Sequence, residues 1–111
     1  MITRKSAFSV ALLTSILICP QSSVARDITN ADFLTWPEAR QTWWVLSSVT
    51  MAGHVVRLRD EAKGDCIWDW YLADPEARFA AIQNTMKQYP DHLPTGIIIA
   101  WLEKHCGGLS E

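Results

Sequence analysis

Cys66 and Cys106 stand about 40 positions apart, and whether they are joined decides how much freedom the chain between them keeps. The answer turns on the amino-terminal residues. Residues 7–19 (AFSVALLTSILIC) form an uncharged, mostly apolar run behind Arg4 and Lys5. Pro20 breaks the run. Ser23 and Ala25 then supply the small side chains that a signal peptidase needs three residues and one residue before its cut. This pattern predicts an export signal over residues 1–25. The run falls short of the roughly 20 residues that span a bilayer as a helix. A lipid-anchored form fits poorly, because bulky Ile18 precedes Cys19 and Pro20 follows it.

Cleavage after Ala25 removes Cys19 and leaves two cysteines in an oxidising compartment, periplasmic or extracellular. A Cys66–Cys106 disulfide is the expected outcome. Closing a loop of that length stabilises by roughly 4 kcal/mol in the chain-entropy model, comparable with the whole stability of a small domain.

The remaining residues, 26–111, are enough for a single domain. They keep eight of the ten Lys and Arg and all twelve Asp and Glu, a formal net charge of −4. Without a basic cluster, such a chain is poorly suited to bind nucleic acid or an anionic membrane after the signal is cut. All six tryptophans lie in this part, with Phe33, Phe79, Tyr71 and Tyr89. A short chain has a thin margin between burial and conformational entropy, and large aromatics bury much area per residue ordered.

The hydrophobic pattern is helical throughout. A short helix is expected over residues 28–34. Thr35 and Glu38 match a capping box around Pro37, opening a long helix. Its apolar face reads Ala39, Trp43, Leu46, Val49, Gly53 and Val56, and Gly64 is its expected stop. Gly53 marks either a close approach by another helix or a bend. Residues 66–73 follow as a helical turn or two. Asp74, Pro75 and Glu76 restart a helix that carries Phe79, Ile82, Met86 and Tyr89 on one face and ends at Pro90. Pro94 or Thr95 opens the last helix, which Gly107 and Gly108 end. Residues 97–102 (IIIAWL) are apolar on every side, so this helix is expected to be central. The predicted fold is all-α: about four helices in a compact bundle stapled by one disulfide.

Catalytic chemistry finds little support. Cys106 lies at a helix C-terminus and Cys66 beside Asp65, both unfavourable for a thiolate. His54, His92 and His105 match no metal-ligand spacing, so no metal or cofactor is expected. Asp65 and Asp69 are four apart and read as a solvated acidic face. Binding is the better expectation. In Cys66–Tyr71 (CIWDWY) the two tryptophans are two apart and diverge on a helix. Trp70 and Tyr71 are expected in the core. Trp68, with Asp69, is a candidate interface anchor, since tryptophan is enriched at such sites. Asp91 and His92, in a connector stiffened by Pro90 and Pro94, are a second candidate contact.

The stretch of residues 65–108 resembles a family pattern. A cysteine is followed by a helix, then by Tyr89-Pro90-Asp91-His92-Leu93-Pro94, then by an apolar helix ending in His105-Cys106. It looks like the small exported helical proteins of the Rap/Tai immunity type, which protect bacteria from type VI secreted peptidoglycan amidases. The resemblance implies a non-enzymatic inhibitor, acting as a homodimer, that occludes a partner's catalytic cleft. Two other classes fit an exported helical chain with one disulfide. One is an acid-stress chaperone of the HdeA type, positively charged and loosened once its carboxylates are protonated. The other is a structural subunit of an envelope assembly.

Overall fold

A computed structural model describes residues 27–110; the expected signal, residues 1–25, lies outside them. Five helices follow in chain order: α1 (Asn30–Phe33), α2 (Glu38–Arg57), α3 (Glu61–Ala73), α4 (Pro75–Gln88) and α5 (Pro94–Cys106). The all-α expectation holds, with no strand among the described residues. Cys66 of α3 is joined to Cys106 at the end of α5, with their Cα atoms 5.9 Å apart. The staple fastens α5 to the α2–α3 hairpin.

Local chemistry sets the helix ends. The Thr29 hydroxyl accepts from the Asp32 amide, and the Asp32 carboxylate accepts from the Thr29 amide. This is the capping box of α1. The box expected at Thr35 and Glu38 does not form. Thr35 lies in the closing turn of α1, where its hydroxyl donates to the Asp32 carbonyl at 2.6 Å. The N-cap of α2 is Pro37, without a side-chain bond. Asp74 caps α4 as expected: its carboxylate accepts from the Ala77 amide at 3.2 Å, and Pro75 fills the first helical position.

The long helix ends earlier than its pattern suggests. α2 stops at Arg57, and Asp60 caps α3 by accepting from the Lys63 amide at 3.0 Å. Gly64 is therefore inside α3 and not a stop. It is the point where α3 touches α2: a β-carbon at Gly64 would stand 2.6 Å from the Gly53 carbonyl oxygen. Gly53 does not break α2, and the close-approach reading holds. The facing pairs Trp68 with Thr50, Gly64 with Gly53 and Asp65 with Arg57 make α2 and α3 an antiparallel hairpin.

Phe33, Val45, Val49, Ile67, Tyr71, Ile82, Met86 and Leu102 are almost wholly buried and form the centre of the core. On α2 the expected face is right at Val49, Gly53 and Val56 but out of phase before them. Ala39 and Trp43 are exposed, while Gln41 and Val45 are buried. The cause is the α1–α2 connector. Trp44 packs edge-on against Phe33 at 5.1 Å. The Gln41 side chain donates to the carbonyls of Leu34 and Trp36, and its carbonyl accepts from Gln83. A polar residue is thus buried where it satisfies a turn. Tyr89 falls outside α4 and is about half exposed.

The first turn of α1 is tied to the α4–α5 connector. The Asn30 amide donates to the His92 carbonyl, the Ala31 amide to the Pro90 carbonyl, and the Asn30 side chain to the Tyr89 carbonyl. α5 ends at Gly107, whose φ of 88° lies in the left-handed region open to glycine.

Candidate binding surface

α5 lies beside α2, and both run in the same direction. Thr95 at its start shares a cavity with Trp44, and Leu109 beyond its end accepts a hydrogen bond from Arg59. α5 buries Ile97, Ile98 and Leu102. Its other side is uncovered: Gly96, Ile99 and Ala100 are exposed, and a β-carbon at Gly96 would meet nothing within 4 Å. The expectation of a central helix apolar all round is corrected here. The sequence is apolar all round, but the packing covers only part of it.

Grooves flank this ridge. Between α2 and α5 lies an apolar groove of about 360 Å³, with Val56, Ile98 and Leu102 at its base. Met51 and Ile99 form its lips at 62% and 43% exposure, Val55 is half exposed, and Leu58 projects nearby at 77%. Arg59 and Leu109 close one end, and among the described residues Arg59 is the sole charged side chain that lines it. The Lys63 ammonium donates to the Gly108 carbonyl beside them at 2.6 Å, so residues 107–109 fold back against α2 and α3. The opposite flank of α5 meets α4 and the connector in a groove lined by Tyr89, His92, Leu93, Gly96, Ile97 and Ala100.

The two tryptophans of CIWDWY do diverge. Trp68 turns to α2, where its indole covers Gly53 and Nε1 donates to the Thr50 carbonyl at 3.0 Å. It is half-buried helix–helix packing and not a projecting anchor. Trp70 turns to α5 and is also half-buried, short of the full burial expected for it. His105 stacks on Trp70 at 4.7 Å and on Trp101 at 5.6 Å. Arg78 and Lys104 lie over the same two indoles. Partial desolvation beside the two indoles, then the nearby charges of Lys104 and Arg78, hold the pKa of the exposed His105 below its ordinary value. Tyr71 alone of the three aromatics is full core.

Asp69 is exposed. Asp91 and His92 are exposed on the α4–α5 connector, where the His92 ring meets Tyr89 edge-on at 5.1 Å. His92 lines the α4–α5 groove, whereas Trp68 belongs to the α2–α3 hairpin. The four candidate contacts therefore do not gather into one site. Each histidine packs against an aromatic ring: His54 on Trp68, His92 on Tyr89, His105 on the two indoles. Among the described residues no group of three or more His, Cys, Asp or Glu is placed to hold a metal ion. Asp65 pairs with Arg57 at 3.2 Å, which separates it in role from Asp69.

The exposed apolar residues Met51, Val55, Leu58 and Ile99 escaped the sequence reading. A signal was present: positions 51, 55 and 58 repeat at helical spacing beside the buried row 49, 53 and 56. α2 thus carries a wider apolar arc than one neighbour covers. Comparison with protein-family models, with curated proteins and with solved structures gave no match.

Proposed function

We propose that this chain is an exported binding protein, not an enzyme, and that it acts by covering part of a protein partner with the face around α5. The observation that supports this most is the mismatch in α5. A helix apolar on every side belongs inside a protein, yet Ile99, Ala100 and Gly96 face solvent, Ile99 across the groove from exposed Met51 and Val55. Contiguous exposed apolar surface with few charges at its centre is characteristic of a protein interface. The disulfide suits an oxidising compartment. No helix among the described residues is long and apolar enough to cross a membrane.

The resemblance of residues 65–108 to the Rap/Tai immunity type supplies the finer reading. The partner is then a secreted peptidoglycan amidase whose cleft this protein occludes. Pull-down from an envelope extract, with the wild type and an Ile99→Glu variant side by side, tests it. The expected result is one stoichiometric partner with amidase activity, inhibited on binding and lost with Ile99→Glu. Many clients bound only at low pH would favour a chaperone instead. No partner at either pH would overturn both readings.

A further inference from the structure

We infer that the α2–α5 groove receives an amphipathic helix of the partner, with a carboxylate of that helix on Arg59. This rests on the binding role proposed above and specifies what is bound. Three features of the groove select the occupant.

The first is where the exposed area lies. An acyl chain lying along Val56, Ile98 and Leu102 would fill the base and leave the outward surfaces of Met51 and Ile99 in water. Their exposures of 62% and 43% are large. A helix laid along the groove reaches both base and lips, presenting side chains at i, i+4 and i+7.

The second is length. Ser48 to Val56 of α2, with Arg59 just past its end, line the groove from one end to the other. At 1.5 Å per residue they span roughly 16 Å, about three helical turns. This is enough for a row of three anchoring side chains.

The third is charge. Ser48 and Thr95 at one end are neutral, and the one charged lining side chain among the described residues is at the other, where Arg59 donates to the Leu109 carbonyl and has no carboxylate partner among the described residues. Arg57 is different: Glu61 and Asp65 already hold it at 2.8 and 3.2 Å. A guanidinium with spare donors at the end of a largely apolar groove favours an anionic group there. A single cation at one end also fixes the direction of a bound helix, which an apolar groove alone does not.

The test is a selection of phage-displayed helical peptides against the immobilised oxidised protein, with Ile99→Glu as counter-target. Binding of the synthetic winners is then measured by fluorescence anisotropy. Winners are expected to carry apolar residues at i, i+4 and i+7 with an acid at one end. Arg59→Glu should weaken them about tenfold or more. Changing the peptide acid to lysine should restore binding to Arg59→Glu, which separates a charge contact from a folding defect. Winners indifferent to Arg59→Glu, or extended in conformation, overturn the inference. So does dodecanoate binding that excludes the peptides, or self-association abolished by Ile99→Glu. Should Ile99→Glu still lose the enzyme in the pull-down while no helix is selected, the binding role stands and the helix inference falls. If Ile99→Glu changes neither, both fall.

Discussion

The indole of Trp68 rests on Gly53, occupying the space that a side chain at that position would need. Its Nε1 donates to the Thr50 carbonyl one turn earlier on the same helix. The contact locks α3 against α2, and the Gly64 contact repeats the arrangement one turn away along α3. Alanine at Gly53 should therefore destabilise, although alanine is worth about 1 kcal/mol more than glycine in a helix interior. Displacing the indole costs about 1–3 kcal/mol, so the net loss is small. Gly64→Ala should cost more. Its β-carbon would meet backbone, the Gly53 carbonyl oxygen at 2.6 Å and the Arg57 Cα at 2.7 Å, and backbone does not swing aside. Urea unfolding of both variants checks the order; a stabilised Gly64→Ala protein would contradict this packing.

Gln41 should be among the least replaceable polar residues. It is 4% exposed, and its amide nitrogen serves the carbonyls of Leu34 and Trp36. Gln41→Met keeps the approximate shape and removes the donors. Stranding two carbonyls near the core should cost about 1–3 kcal/mol. The measurement is the shift in urea midpoint at unchanged slope.

The same residue shows why part of this fold was legible and part was not. Asp74-Pro75-Glu76, the Cys66–Cys106 pair and the row Phe79, Ile82 and Met86 each carry a local or pairwise signal, and each appears as expected. The phase of α2 does not. Trp43 is the larger apolar candidate, but Gln41 is buried because a turn eight residues long in its influence, from Leu34 onward, needs its amide. Burial there follows from hydrogen-bond demand, which hydropathy does not report. The exposed apolar side of α5 was hidden for a related reason. A residue such as Ile99 reads as core wherever it stands, and only the packed neighbours reveal which apolar side is left over.

Reduction should loosen the end of α5 first. The disulfide holds Cys106, and the adjoining residues 107–109 lean on Lys63 and Arg59. A Cys66→Ser/Cys106→Ser variant is expected to lose roughly 4 kcal/mol, as the entropy of a 40-residue separation implies. Thiol labelling of the denatured, unreduced protein should find neither Cys66 nor Cys106 free. Hydrogen exchange on the reduced protein should show faster exchange at the last turn of α5 than in α2.

His105 gives stability a dependence on pH. Its pKa is lowered in the folded state, so near and below the ordinary value of 6.5 the unfolded chain binds the proton more readily. The contribution is fully present above that value and is lost as pH falls from it through the depressed folded pKa. The ring is well exposed, so the effect is screened and small. NMR titration should place the His105 midpoint below that of the unfolded chain. His105→Gln should flatten the part of the stability profile just below pH 6.5. An unchanged slope would show that the rings and cations around it do not resist its charge.

Ile99→Glu should separate binding from folding. The side chain is 43% exposed on the outer surface of α5, and a glutamate there extends into solvent without burying its charge. Surface changes away from special contacts usually alter stability by less than about 0.5 kcal/mol. Ile98→Glu, one position along, puts the carboxylate into a site 3% exposed and should unfold the protein or cost several kcal/mol. In a partner interface, the roles reverse in importance. A charge at Ile99 must be desolvated when the surface is covered, which costs binding about 2 kcal/mol or more. The informative measurement is the pair of thermal melting and partner affinity on the same Ile99→Glu sample. Native melting with lost affinity places the interface on α5, whereas native melting with full affinity moves it elsewhere on the surface.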